Sequence, residues 1–376
     1  MGEIQEVQLC IKETKEPSSP KDASATHQPL SLKLRKWQWQ LLAAISIIFV
    51  LAGQSVGTLL GRFYFNEGGN SKWVATLVQS AAFPILLIPL YFISSPTTRT
   101  PQQPSLTTLS FIYIFIGLVV VAAGMMYSYG LLYLPVSTYS LICATQLGFN
   151  AIFSYFINSQ KLTPYILNSV VLLTFSASLL GVQSDSTNHK PIPKGEYAIG
   201  FVCTLGASAL YSLLLSLTQL AFQKVLKKET LSVILEIQIY PSAVATCAGL
   251  VGLFASGDWK DLKGEMEGFR EGKVSYVMTL VWTAVSWQVF SVGSLFLIYE
   301  VSSLFCNVIG TVGLPVIPIL AVVFFHDKMD GVKIVAMLLA VWGFLSYIYQ
   351  HYLDDSKSRR SRSTGNEVDK KTDTST

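Results

Sequence analysis

The feature that most constrains this chain is a series of apolar runs, each roughly twenty residues long, separated by short polar pieces. A helix rises 1.5 Å per residue, so roughly twenty apolar residues cross the hydrocarbon layer of a bilayer. Ten such runs can be marked, at 39–60, 73–94, 109–129, 134–157, 165–182, 196–218, 231–255, 274–297, 301–324 and 332–350. One or two long runs fit the core of a large soluble protein, but an evenly spaced series does not. Only 13% of the 376 residues are charged, about half the share of an ordinary soluble domain and too few to cover a water-facing surface. The mean hydropathy of +0.46 agrees. The expected fold is an all-α polytopic membrane protein with ten transmembrane helices.

The two ends read differently from the middle. Residues 1–36 are polar, with acids, Pro20 and Pro29, and lack the basic-then-apolar pattern of a secretory signal. Residues 354–376 are rich in Ser, Thr, Lys and Arg. Both are expected to be disordered tails. An even number of spans puts both tails on one side. With the N-terminus inside, twelve Lys and Arg lie near the inner ends of the spans and ten near the outer ends. The clusters Lys33, Arg35, Lys36 and Lys357, Arg359, Arg360, Arg362 favour two cytoplasmic termini, and the outer loop at 256–273 is acidic.

An internal repeat is visible. Phe156-Ile157-Asn158-Ser159-Gln160-Lys161 precedes the fifth run, and Val323-Phe324-Phe325-His326-Asp327-Lys328 precedes the tenth. Tyr133-Leu134-Pro135-Val136-Ser137 and Tyr299-Glu300-Val301-Ser302-Ser303 form a looser pair. Repeats offset by an odd number of spans have opposite orientations in the membrane. The implied layout is two inverted five-helix halves, 37–182 and 196–353, joined by a loop at 183–195. Carriers that work by alternating access use inverted halves, with the substrate near midplane at their interface.

Other classes are poorly supported. A net charge of +4, without a basic stripe interleaved with aromatics, does not point to nucleic acid. The five cysteines include no CxxC pair, and four lie in apolar runs, so neither a metal site nor a disulfide framework is expected. There is no glycine-rich phosphate loop or HExxH, and His27, His189, His326 and His351 are not arranged for chemistry, so an enzyme is not expected. A filter-like loop or a ring-forming acid, as a channel would need, is likewise missing. A non-transporting receptor or scaffold remains the competing class.

Polar side chains inside the runs carry the functional argument. Lipid offers them no hydrogen bonds, so each needs a partner, a cavity or a ligand. The candidates for substrate binding are Gln54, Gln79, Gln146, Asn150, Gln238, Gln288 and Asn307, with Trp282 and Trp287. Amides donate and accept at once, and indole rings offer flat faces, so together they suit a planar heterocycle with ring nitrogens. The competing use of a membrane amide is interhelical hydrogen bonding, worth about 0.6 kcal/mol. Trp37, Trp39 and Trp73, near span ends, read as interfacial anchors.

Glu236 sits roughly a turn and a half inside its run, where a bare carboxylate is costly. A carboxyl that gains a proton on one side and loses it on the other would couple transport to a proton gradient. The alternative is a side chain snorkelling towards the interface. Glu300, in the short turn before the ninth run, is the second proton-coupling candidate. Gly53, Gly57 and Gly61 draw a smooth stripe down the first run, which lets a neighbouring helix come close. The pairs Pro84/Pro89 and Pro315/Pro318 free backbone carbonyls or kink their helices.

Several stretches, in order, make the chain familiar: Leu59-Leu60-Gly61-Arg62-Phe63-Tyr64-Phe65, Tyr133-Leu134-Pro135-Val136-Ser137-Thr138-Tyr139-Ser140, Gln146-Leu147-Gly148-Phe149-Asn150-Ala151, Ser302-Ser303-Leu304-Phe305 and Phe325-His326-Asp327-Lys328. The chain resembles the plant purine permease family of the drug/metabolite transporter superfamily over about residues 37 to 353. The resemblance implies a secondary transporter with two inverted five-helix halves. It also implies proton-coupled uptake of purine nucleobases, cytokinins or related heterocycles, usually at the plasma membrane. Other heterocyclic amines, vitamins or alkaloids are the alternative cargo. No cofactor beyond the coupling proton is expected. The expected partners are the substrate and the lipid bilayer, with the chain a monomer or weak homodimer.

Overall fold

The apolar runs form helices in the computed structural model, which describes residues 28–93, 106–159, 163–182, 194–226, 231–314, 316–326, 329–343, 345–346, 349 and 353. The helices are α1 (Gln28–Asn66), α2 (Lys72–Ala81), α3 (Leu87–Ile93), α4 (Leu106–Tyr133), α5 (Val136–Cys143), α6 (Gln146–Asn158), α7 (Pro164–Val182), α8 (Lys194–Leu220), α9 (Leu231–Ser256), α10 (Leu262–Gly268), α11 (Gly272–Glu300), α12 (Ser303–Gly313), α13 (Val316–Phe325) and α14 (Gly331–Gly343). Two compact units, Met1–Leu42 and Ala43–Thr376, can be separated, and the description below concerns the second. The C-terminal tail, the joining loop at 183–193, Lys161 and Lys328 lie outside the described residues, as do residues 1–27 of the N-terminal tail. Helix α1 starts at Gln28, inside the segment read as tail.

Seven stretches among the described residues are long and apolar enough to cross a bilayer: Leu41–Asn66, Lys72–Phe92, Thr107–Tyr133, Val136–Asn158, Gly195–Lys224, Ser232–Ser256 and Gly272–Glu300. The chain is a multi-pass membrane protein. Phe111 is 71% exposed and Val251 68% exposed, the outward apolar surface that a helix in lipid requires.

Not every run became one unbroken helix. The fourth is two helices, α5 and α6, because Ala144 N–H bonds Leu141 O at 3.2 Å and Thr145 N–H bonds Ile142 O at 3.0 Å, tightening the turn between them. The ninth is α12 and α13, divided where Leu314 N–H bonds Thr311 O and Ile317 N–H bonds Leu314 O, both at 3.2 Å; Pro315, which carries no N–H, lies outside the described residues. The second is interrupted between α2 and α3 by a 3-10 turn, Phe83–Leu86, with Pro84 in its first turn. These breaks pair across the structure: α5 packs on α13 and α6 packs on α12. The two non-glycine residues with positive φ among those described are Ser159 and His326, both at 54°. They follow α6 and α13, at the matching positions of the sequence repeat.

Glycines set the closest helix approach. A Cβ added at Gly53 would lie 2.7 Å from Phe290 N and Ser286 O, and one at Gly293 would lie 2.8 Å from Ser46 O, so α1 and α11 cross backbone to backbone. At the α1–α2 end, Arg62 fastens α1 to the end of α4 by donating to the carbonyls of Leu131 (2.7 Å) and Leu134 (3.0 Å).

Candidate functional site

A cavity of about 150 Å³ lies among α1, α2, α4, α5, α6, α8, α9 and α11. Cavities of roughly 150 Å³ accept a single small aromatic ring, so the scale suits a small planar molecule. Of the side chains expected at a substrate site, Gln54, Gln79, Gln146, Gln238 and Trp287 line this cavity. Five residues from α1, α2, α6, α9 and α11 thus converge, although up to 233 positions separate them in sequence (54 to 287).

Each amide is held differently. Gln54 is buried, and its Oε1 has no hydrogen-bond partner. Gln146 Nε2 donates to the Tyr127 hydroxyl at 2.5 Å, and its backbone carbonyl is pinned by Ser212 Oγ at 2.8 Å and Asn307 Nδ2 at 3.0 Å. Gln238 Nε2 donates to Ser242 Oγ at 3.2 Å. Gln79 Nε2 donates to its own helix at Ala75 O, 3.2 Å away, and reaches Ser128 Oγ at 3.4 Å. Gln54 Oε1 is thus a buried acceptor without a donor, which is costly. A ligand with an N–H group would satisfy it.

The aromatic component is built around Trp287. Its ring meets the Phe290 ring edge to face, with centroids 5.5 Å apart, and fits beside Gly57, where an added Cβ would sit 3.0 Å from the indole. Tyr127, Tyr139 and Tyr211 also line the cavity and were not singled out from sequence. Tyr127 and Tyr139 meet at 6.0 Å in a T-shaped pair. The available signal was a tyrosine inside an apolar run, which a span-end reading as interfacial anchor obscures. Pro241 is a further lining residue. It lies inside α9, so the carbonyl of Ile237 loses its helical N–H partner, and both residues line the cavity.

The remaining candidates sit elsewhere. Asn150 is fully buried, donating to Ser303 O at 3.2 Å and accepting from Ser216 Oγ at 3.0 Å, so it ties α6 to α8 and α12. Asn307 holds the Gln146 carbonyl, one step behind the cavity wall. Gln288 is buried with both amide atoms unpartnered and is not among the lining residues. Trp282 is 58% exposed on the outer face of α11. Glu236 is half-buried, one residue before Ile237 and Gln238, within electrostatic reach of Tyr113, whose ring stacks on Tyr240 at 5.2 Å. Glu300 is half-buried at the C-terminal end of α11. Among the described residues no cluster of three His, Cys, Asp or Glu side chains is placed to hold a metal.

The family signature covers this whole arrangement. A sequence model described as purine nucleobase transmembrane transport matches residues 41–357. The chain belongs to the plant purine permease family. It is 57% identical over 350 residues to a protein named probable purine permease 11 of Arabidopsis thaliana, covering 92% of each chain. It is 55% identical to purine permease 21 of the same plant, covering 95% of this chain and 93% of that one. Probable purine permease 10, also from Arabidopsis thaliana, is 52% identical over 371 residues, covering 95% of this chain and 93% of the other. Membership of the purine permease family makes the chain a membrane transporter and not an enzyme.

Proposed function

We propose that this protein is a proton-coupled secondary carrier of purine nucleobases and related planar heterocycles such as cytokinins. The observation that carries the reading is the cavity lined by four glutamines and the indole of Trp287, in a chain of the purine permease family. A purine presents a flat π-face and an edge of alternating donors and acceptors. Trp287 supplies the matching face, and Gln54, Gln79, Gln146 and Gln238 supply the edge partners.

The carrier has ten spans in two inverted halves. Helix α7, the broken pair α12–α13 and α14 complete the count begun by the seven long stretches. The reciprocal packing of α5 on α13 and α6 on α12 supports a two-fold axis in the membrane plane, as do the matched left-handed caps at Ser159 and His326. Both termini face the cytoplasm, and the protein works at the plasma membrane. Lys and Arg flanking the first and last runs support that orientation.

Glu236 carries the coupling proton. Its position beside Ile237 and Gln238 lets its charge act on the loaded cavity. A neutral carboxyl is cheaper to bury than a carboxylate, so protonation favours the occluded, loaded state. With Glu236→Gln, adenine uptake into proteoliposomes should lose its stimulation by an imposed pH gradient, while counterflow without a gradient persists. Stimulation equal to wild type would remove Glu236 from the role.

The packing of Asn150 gives a second test. Asn150→Ala should lower unfolding stability in detergent by roughly 1 kcal/mol, because it removes the tie among α6, α8 and α12. Adenine affinity should stay within about twofold of wild type, since Asn150 is not among the cavity-lining residues. Equilibrium binding with labelled adenine checks it, and a tenfold or greater loss would bring Asn150 into the site.

A further inference from the structure

The loop between α9 and α11 is fastened to the opposite half with more bonds than a connector needs. It contains a 3-10 turn, Asp258–Lys260, and the short helix α10. From α10, the Glu265 carboxylate accepts from the hydroxyl of Tyr64 and from that of Tyr276 at 3.0 Å. Its other oxygen accepts from the backbone N–H groups of Asn70 and Ser71, both at 3.1 Å. Ser71 Oγ donates to Asp258 at 2.9 Å, and Arg270 N–H donates to Glu67 O at 3.0 Å. Phe269 is buried between Phe63 and Tyr276, with ring centroids 6.1 and 5.4 Å away. Hydrogen bonds to a carboxylate are the strong ones, and four of them converge on one residue.

Beneath this knot lies a second, smaller compartment of about 20 Å³. Tyr64 and Phe65 line it on the side of the knot, and Tyr127 and Trp287 line both it and the central cavity. Gly57 and Gly61 keep its wall free of side chains. The central cavity extends the other way, past Thr218, Ile237 and Ile298 towards the end opposite the α1–α2 turn. The two compartments share Tyr127 and Trp287 as a common wall, and the smaller one reaches Tyr64, whose hydroxyl is bonded to Glu265.

We propose that Glu265 latches a gate at the α1–α2 end of the transport path, and that the compartment between Tyr64 and Trp287, at about 20 Å³ too small for a ring while the latch holds, is the closed part of that path. This rests on the carrier reading above. Tyr64 is 1% exposed and cannot swing aside while Glu265 holds its hydroxyl. Release of α10 from the α1–α2 turn frees Tyr64 and joins the compartment to the aqueous side. A flat ring then passes between two aromatic faces. Glu265 acts through Tyr64 and α10, so it is a positioning residue and does not bind the substrate in the central cavity.

The test uses the full chain in proteoliposomes, with the five natural cysteines replaced by serine and the substitutions Asn70→Cys and Glu265→Cys added. Without cross-linker the latch is missing, and adenine counterflow should run several-fold faster than in the cysteine-free parent. A short bis-maleimide should cut counterflow about tenfold or more, while adenine binding to the cross-linked protein in detergent stays within about twofold. Tyr276→Phe, which keeps the carboxylate but removes one of its donors, should also speed counterflow. Cross-linked protein that exchanges adenine as fast as uncross-linked protein overturns the gate. A parent that neither binds nor exchanges adenine overturns the carrier reading, and the gate with it.

Discussion

Replacing Trp287 with alanine should cost the protein about 5- to 150-fold in substrate affinity while leaving it folded in the membrane. Removing an aromatic platform under a base costs about 1–3 kcal/mol per stacked ring, which is the source of that range. Trp287 is the residue for which the full cost is expected, because it lines the central cavity and the smaller compartment alike. Its ring is also fixed in place, with Phe290 at one edge and Gly57 leaving it room. Little ordering is therefore needed when a ligand arrives. Trp287→Phe keeps a π-face and should retain most of the affinity. The measurement is adenine binding and the KM of uptake for both variants. Trp282 provides the control: it is 58% exposed on the lipid side of the same helix, so Trp282→Ala should leave KM within about twofold. Equal losses for the two tryptophans would show that α11 as a whole, and not the cavity face, was being measured.

The second large effect is expected at Gly53. Its missing side chain lets α1 meet the backbone of α11, with Phe290 N and Ser286 O each 2.7 Å from where a Cβ would be. Those atoms belong to a helix backbone and cannot step aside as the end of a flexible side chain can. Gly53→Ala should destabilise the protein by about 1–3 kcal/mol, the usual cost of overpacking, and Gly53→Val by more. The added bulk also pushes Phe290, and with it Trp287, so transport should fall further than stability alone explains. Thermal unfolding in detergent, run alongside uptake corrected for folded protein, separates the two losses. Gly264, with nothing within 4 Å of an added Cβ on α10, is the contrasting site. Gly264→Ala should be neutral or stabilising by up to about 1 kcal/mol. If Gly53→Ala behaved like Gly264→Ala, the close crossing of α1 and α11 would be refuted.

The membrane class was legible because it depends on a bulk property. Long apolar stretches have one inexpensive solvent, lipid, and the helix is the backbone structure that satisfies its own hydrogen bonds there. The helix ends near Asn66, Asn158, Ser256 and Glu300 fall close to where the polarity of the sequence changes. The breaks inside the fourth and ninth runs were less legible. Pro315 signals the second break, but Ala144 and Thr145 carry no comparable mark. That turn is recorded only in which carbonyl each N–H finds.

The site divides along the same line. The sequence by itself determined that polar amides and indoles lie at depths where lipid gives them nothing, and that the chain belongs among helical membrane carriers. Depth follows from position along a helix, which counting residues supplies. Only the tertiary structure decided which way each side chain turns. Trp282 and Trp287 are five residues apart, about 140° around one helix, and one meets lipid while the other meets the cavity. Gln146 and Asn150 share a face of α6, yet one lines the cavity and the other ties three helices together. The helices that surround each position set these outcomes, and their packing depends on glycines such as Gly53 and Gly293, whose partners are distant in sequence.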